Sequence, residues 1–255
     1  MGLTCKSCKR KAILDIYNIV KANPNQMLVA LAGNPNTGKS TIFNELTGLK
    51  QHTGNWPGKT VTNARGYFKN KDKEFILVDL PGTYSLFPNS VEEEVARDFI
   101  CFGNPDVTVI VVDATCLERN LNLVLQILEI TDNAILCVNL LDEAKRKKIQ
   151  VDLDRLSVEL GIPVVGTIAR DKKGLKNLKD AIYDVCVKKI IPQPKKITYP
   201  KEIEDELQKL IPMITPLITN KINPRWIALR MLDGDIKILE RISQNSYCKG
   251  ACNHG

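Results

Sequence analysis

The chain has 255 residues, a formal net charge of +7, and 44% hydrophobic and 25% charged residues. That composition fits one large globular domain, or one domain with an appendage, and excludes a disordered or fibrous chain. Acidic and basic residues are mixed, with no long basic block interleaved with aromatics, so nucleic acid is not an expected partner; no run of 18 apolar residues exists to span a bilayer.

Residues 1–26 read as a leader carrying Cys5-Lys6-Ser7-Cys8. It has no apolar core followed by a cleavage site, so the chain is expected in the cytoplasm. Met1-Gly2 does not continue into a myristoylation pattern, because Lys6 stands where Ser or Thr is needed. Cys5 and Cys8, together with Cys248, Cys252 and His254 of a tail spanning 246–255, would form a soft-metal site if the termini met. Two separate tails that carry thiols are the plainer reading. Cys101, Cys116, Cys137 and Cys186 lie in or beside apolar elements and read as reduced core residues.

From residue 27 strands and helices alternate. Strands are expected at 27–32, 64–69, 75–80, 107–113, 134–139 and 163–168, and helices at 39–47, 91–102, 118–130, 152–160 and 175–188. Runs such as Val109-Ile110-Val111-Val112 imply strands buried on both faces. The alternation predicts an α/β fold, a mainly parallel six-stranded sheet with helices on both faces, over residues 27–190. Ligands then bind at the carboxyl ends of the strands. Ile191-Pro192-Gln193-Pro194 stops the pattern. Beyond it, Ile203, Leu207, Leu210 and Ile211, then Trp226, Leu229 and Leu232, keep helical spacing, and 197–245 reads as a small all-helical domain of three or four helices.

The loop after the first strand is Gly33-Asn34-Pro35-Asn36-Thr37-Gly38-Lys39-Ser40, followed by Thr41. It fits G-x-x-x-x-G-K-[ST] between a strand and a helix, the phosphate-binding loop of nucleotide hydrolases. Glycines let several N–H groups point at one phosphate, and the helix adds its positive end. Lys39 is placed to reach the β- and γ-phosphates, and Ser40 to ligate Mg²⁺.

Three later segments choose the nucleotide. Asp79-Leu80-Pro81-Gly82 ends a strand with D-x-x-G spacing: Asp79 can hold Mg²⁺ through water, and the Gly82 N–H can meet a γ-phosphate. Asn139-Leu140-Leu141-Asp142 ends another; the Asp142 carboxylate accepts both N1–H and the 2-amino group of guanine, a donor pair adenine lacks. Thr167-Ile168-Ala169-Arg170 sits where an S-A-x loop would give a backbone N–H to guanine O6, with Ile168 in place of Ser. The segment from Gln51 to Gly66 reads as a mobile loop, opened by Gly54 and Gly58, whose Thr60 can reach both Mg²⁺ and the γ-phosphate. Together these predict a Ras-like P-loop fold that takes GTP rather than ATP.

The phosphate loop, Gly54-Asn55-Trp56-Pro57-Gly58-Lys59-Thr60-Val61, Asp79-Leu80-Pro81-Gly82-Thr83-Tyr84-Ser85-Leu86 and Asn139-Leu140-Leu141-Asp142 closely resemble the cytosolic GTPase part of the FeoB ferrous iron transporters. Tyr199-Pro200-Lys201-Glu202-Ile203 and Arg225-Trp226-Ile227-Ala228-Leu229-Arg230-Met231-Leu232 resemble the family's helical domain. The resemblance implies a regulatory GTPase acting on a membrane permease for Fe²⁺, in cis or as a separate chain, at the inner face of the cell membrane. Small cytosolic Feo accessory proteins and a homo-oligomer are further implied partners. Thr83 stands where many G proteins carry a water-orienting Gln. The family resembles K⁺-activated GTPases instead, with Asn36 and the Gly54 and Trp56 carbonyls as K⁺ ligands. The plainer role for Asn36 is to brace its own loop.

Leu140 replaces the Lys that packs over the base in many G proteins, which predicts faster GDP release. Lys59 and Thr62 also depart from the family pattern. Two other functions remain open on sequence: a soluble ribosome- or RNA-associated GTPase, which needs a basic, aromatic appendage, and a metal-sensing module built on the terminal cysteines.

Overall fold

The computed structural model describes residues 25–48, 51–56, 61–87, 90–218, 222–235 and 240. Expectations placed on Pro57, Gly58, Lys59, Thr60, Cys5, Cys8, Cys248, Cys252 and His254 lie outside these residues.

The strands are β1 (Gln26–Gly33), β2 (Gln51–Asn55), β3 (Thr62–Asn70), β4 (Lys73–Asp79), β5 (Val107–Asp113), β6 (Ala134–Asn139) and β7 (Val164–Gly166). They form one sheet in the order β2-β3-β4-β1-β5-β6-β7. β4, β1, β5, β6 and β7 run parallel, and β2 and β3 antiparallel at one edge. All six expected strands are present, and β2 is a seventh. Gln51-His52-Thr53-Gly54-Asn55 has no apolar pattern, and the strand forms by pairing with the open edge of β3. The segment read as one loop from Gln51 to Gly66 is therefore largely an antiparallel pair, with Gly54 opposite Asn63.

The helices are α1 (Lys39–Thr47), α2 (Val91–Phe102), α3 (Leu117–Ile130), α4 (Leu141–Arg146), α5 (Leu153–Leu160), α6 (Leu175–Cys186), α7 (Lys201–Ile214) and α8 (Pro224–Leu232). β5 shows how the layers arise. Val107, Val109 and Val111 pack with Ile42, Phe43, Leu178 and Ile182 of α1 and α6. Ile110 and Val112 pack with Phe99, Leu123 and Ile127 of α2 and α3 on the other face. Alternate residues of a strand point to opposite faces, so a continuous apolar run becomes two cores. Ser90 caps α2 by accepting from the Glu93 N–H at 3.2 Å, and Glu92, Glu93 and Glu94 favour its positive end. Cys101 and Cys137 are buried as expected, whereas Cys116 is exposed at the turn after β5.

The helical segment is joined to the sheet domain by polar ties. Ile197 N–H donates to Glu129 of α3 at 3.2 Å, and Lys196 pairs with Asp132 at 2.8 Å. The buried Arg97 of α2 binds Asp98 and, at 3.4 Å, Asp235 beyond α8. Within the segment Arg225 grips Glu204 with two bonds of 2.7 and 2.8 Å. Those bonds, with the Tyr199 N–H, pull the Glu204 carboxyl from 4.5 down to about 2. A depressed carboxyl stabilises the fold above its unfolded value and loses that effect as pH falls through the folded one. Thermal melts of the full chain are expected to show stability declining from about pH 4.5 towards 2. Glu204→Gln should lower the melting point at neutral pH and flatten that decline.

Candidate functional site

The site lies at the carboxyl ends of β1, β4 and β6, where three loops converge. β1 runs into the phosphate loop, whose Thr37 hydroxyl donates to the Asn34 carbonyl at 2.9 Å. Gly38 has φ of 82°, a left-handed conformation, and a Cβ there would lie 2.3 Å from Asn139 Nδ2. Glycine is needed at 38 for both backbone and space. The loop then enters α1, whose first residue is Lys39. Asn36 takes a φ of 65° and is exposed. Asn34 is 2% exposed, yet among the described residues neither atom of its side-chain amide has a hydrogen-bond partner. An orphan of that kind costs roughly 1–3 kcal/mol and is more typical of sites than of scaffolds.

β4 sets Asp79 beside Leu31 of β1. Lys39 Nζ donates to the Asp79 carboxylate and, at 2.6 Å, to the Leu80 carbonyl. Two of the three ammonium donors are thereby engaged, leaving one for a phosphate oxygen. Burial pushes the Asp79 carboxyl above its ordinary range, and the Lys39 charge opposes this. Gly82 lies against the phosphate loop: a Cβ on it would stand 3.4 Å from Pro35. Thr83 N–H donates to the Gly33 carbonyl at 3.3 Å, so the segment after Asp79 is fastened to the start of the loop.

Asn139, at the end of β6, joins three segments. Its Nδ2 donates to the Thr37 carbonyl at 3.0 Å. Its Oδ1 accepts from Thr167 Oγ1 at 2.9 Å and from Ala169 N–H at 3.1 Å. The side chain is 1% exposed, so these bonds hold in a dry setting. Cys137 lies under Thr167 with its sulfur 3.4 Å from the hydroxyl, and burial pushes the thiol up to about 12. Asp142 lies in the first turn of α4, after Leu140 in a left-handed conformation (φ 62°). Its Oδ2 accepts from Arg170 at 2.8 Å.

The structure thus brings together Gly33 to Thr41, Asp79, Gly82, Asn139, Asp142, Thr167, Ile168 and Ala169. In the loop expected to give a backbone N–H to O6, Ala169 N–H is engaged with Asn139 and Ile168 N–H with the Lys173 carbonyl at 3.1 Å. Gly54, Asn55 and Trp56 lie at the same end of the sheet, two strands outward from β4. Trp56 is 2% exposed and packs edge-on against Phe99 at 5.4 Å, so this part of the expected mobile loop is anchored in the core. Sequence reading missed the Arg170 contact and the clamp on residues 84–87. Gln126 of α3 accepts from the Leu86 N–H at 2.7 Å; Arg119 lies over the Tyr84 ring and Arg230 of α8 over Phe87, at 4.5 and 5.3 Å. Gln and Arg on amphipathic helices carry no local signal for such contacts.

Two family models match the chain: "Ferrous iron transport protein B" over residues 27–182 and "FeoB cytosolic helical domain" over 199–251. The Fe(2+) transporter FeoB of Escherichia coli (strain K12) is 39% identical over 218 residues, covering 83% of this chain and 27% of that protein. The chain therefore spans about a quarter of the length of the curated relatives it matches. The cytosolic domain of T. maritima FeoB, 38% identical, superposes with a TM-score of 0.78 in its GDP form I, covering 88% of this chain and 87% of that one. Its GMPPNP form gives 0.77, with 86% of each chain covered.

Proposed function

The chain belongs to the FeoB family of ferrous iron transport proteins, and on that premise we propose that it is the family's guanine-nucleotide switch. It binds GTP and GDP with Mg²⁺, hydrolyses GTP, and passes the nucleotide state to a membrane permease. The observation that carries this reading is the Asn139 junction, which holds the phosphate loop, the guanine-reading loop and the loop after β7 in one fixed relation. The GDP- and GMPPNP-bound forms of the T. maritima relative support the choice of nucleotide.

Each residue then has a task. The loop from Gly33 to Ser40 wraps the phosphates, and Lys39 offers its remaining donor to them. Asp142 reads N1–H and the 2-amino group of guanine. Gly82 N–H meets the γ-phosphate, and Thr83 to Phe87 report its presence through Gln126 and Arg230 to α3 and α8. Among the described residues no helix is long and apolar enough to cross a membrane, so the permease is a separate segment or chain in this reading.

The donors fit Mg²⁺: Ser40 gives a hydroxyl and Asp79 a carboxylate, oxygens of the kind this ion takes. Lys39, next to Ser40 in α1, already touches Asp79. Thr60 is the proposed third donor. Asn36 and the carbonyls of Gly54 and Trp56 would supply oxygens alone, which suits K⁺. When bound, K⁺ would neutralise charge developing between the β- and γ-phosphates, where Thr83 offers no amide. GTP hydrolysis is expected to run about 10–100-fold faster in potassium than in sodium buffer, with Asn36→Ala removing the difference. Equal rates in the unaltered chain would take Asn36 out of the mechanism, and absence of calorimetric heat with GDP and GTP would overturn the nucleotide reading.

A further inference from the structure

We propose that Arg170 is a positioning residue for base selection: its guanidinium holds the Asp142 carboxylate so that both guanine donors are met at once. The inference deepens the nucleotide reading and rests on it.

An Asp carboxylate sits on a broad sp³–sp² torsion, so its plane is not set by rotamer preference. Meeting two parallel N–H groups requires that plane to be held. Ile168 offers no side-chain donor for this. Among the described residues, Arg170 Nη2 is the donor to Asp142, at 2.8 Å to Oδ2. A carboxylate has about four lone-pair sites. One bond to Arg170 leaves Oδ1 and the second site on Oδ2 for the base.

The backbone around the pair keeps it in place. Arg170 stands in the short 3₁₀ turn Ala169–Asp171, whose first N–H is tied to Asn139 Oδ1 at 3.1 Å. Leu141 N–H reaches the Thr167 carbonyl at 3.4 Å. The two loops are therefore fastened at 139 with 169, 141 with 167, and 142 with 170, and the last of these fastenings is made by side chains alone. Arg170 Nε also lies 3.5 Å from Asp171 Oδ1, which steadies the guanidinium. The Arg170 side chain is 69% exposed, so the effect is orientation rather than fold stability.

Calorimetry on the full chain with guanosine and inosine diphosphates tests this, because inosine lacks the 2-amino group and needs only one Asp142 bond. Arg170→Ala is expected to weaken guanosine diphosphate about three- to fivefold and inosine diphosphate less than twofold. Arg170→Lys should restore the preference, since only one N–H donor is used. Equal weakening of both nucleotides, no change, or tighter guanosine diphosphate binding would each overturn the proposal; the last would mean that Arg170 competes with the base. If the unaltered chain bound neither nucleotide, the reading of the whole site would fall, which is a distinct result.

Discussion

Lys39→Ala is expected to lower GTP hydrolysis by about 10³-fold and also to lower the melting temperature. The first effect follows from removing a fixed donor from the place where phosphoryl charge develops; one such donor is typically worth about 10²–10³ in rate. The second follows from the pair that Lys39 makes in this structure. Its ammonium is the described counter-charge of Asp79, with side chains 10% and 17% exposed. Removing one member of a nearly buried pair leaves the other desolvated and unpaired, at about 3–5 kcal/mol for full burial. Solvent reaching Asp79 reduces this to about 2 kcal/mol, or about 4–8 °C in a chain of this size. The double variant Lys39→Ala with Asp79→Ala separates the effects. It should recover most of the lost stability, because no lone carboxylate remains, and none of the activity. A single variant that melts like the unaltered chain would show that the pair contributes nothing to the fold.

Asp142→Asn is expected to cost about 10²-fold or more in guanosine diphosphate affinity and to gain affinity for xanthosine diphosphate. An ionised carboxylate offers acceptors only, and each bond to a charged group is worth about 1.5–3 kcal/mol. An amide offers one acceptor and one donor pair. Guanine then meets a donor with a donor, whereas xanthine, with a carbonyl at position 2, meets it with an acceptor. Asp142 lies half-buried in the first turn of α4, outside the apolar core, so the change leaves the core untouched. Calorimetry with the two diphosphates reads the result directly. Unchanged guanine preference would mean that Asp142 does not read the base.

Much of this site was legible because its chemistry is local. The phosphate loop, Asp79 to Gly82, and Asn139 to Asp142 each fit within eight residues, and each ends a strand marked by an apolar run. Glycine at 38, where φ is 82°, is needed for conformational reasons that a sequence displays openly. The helices at 39–47 and 91–102 agree with α1 and α2 residue for residue. The short α4 was not expected; six residues carry too little periodicity to announce themselves. β2 was not expected either, because its register comes from the edge of β3 rather than from its own side chains. Trp56 was expected in a mobile loop, and its ring lies in the core beside Phe99.

The order of the motifs along the chain determined the kind of site, the strand ends that carry it and the base it suits, because backbone geometry and donor–acceptor matching are properties of a few adjacent residues. Folding alone decided which charges face one another. Lys39 on Asp79 and Arg170 on Asp142 join residues 40 and 28 positions apart, and Gln126 under Leu86 another 40 apart. Such contacts depend on how strands stack side by side and which helix covers them. That arrangement is set by burying two apolar faces at once, and no short stretch of sequence contains it.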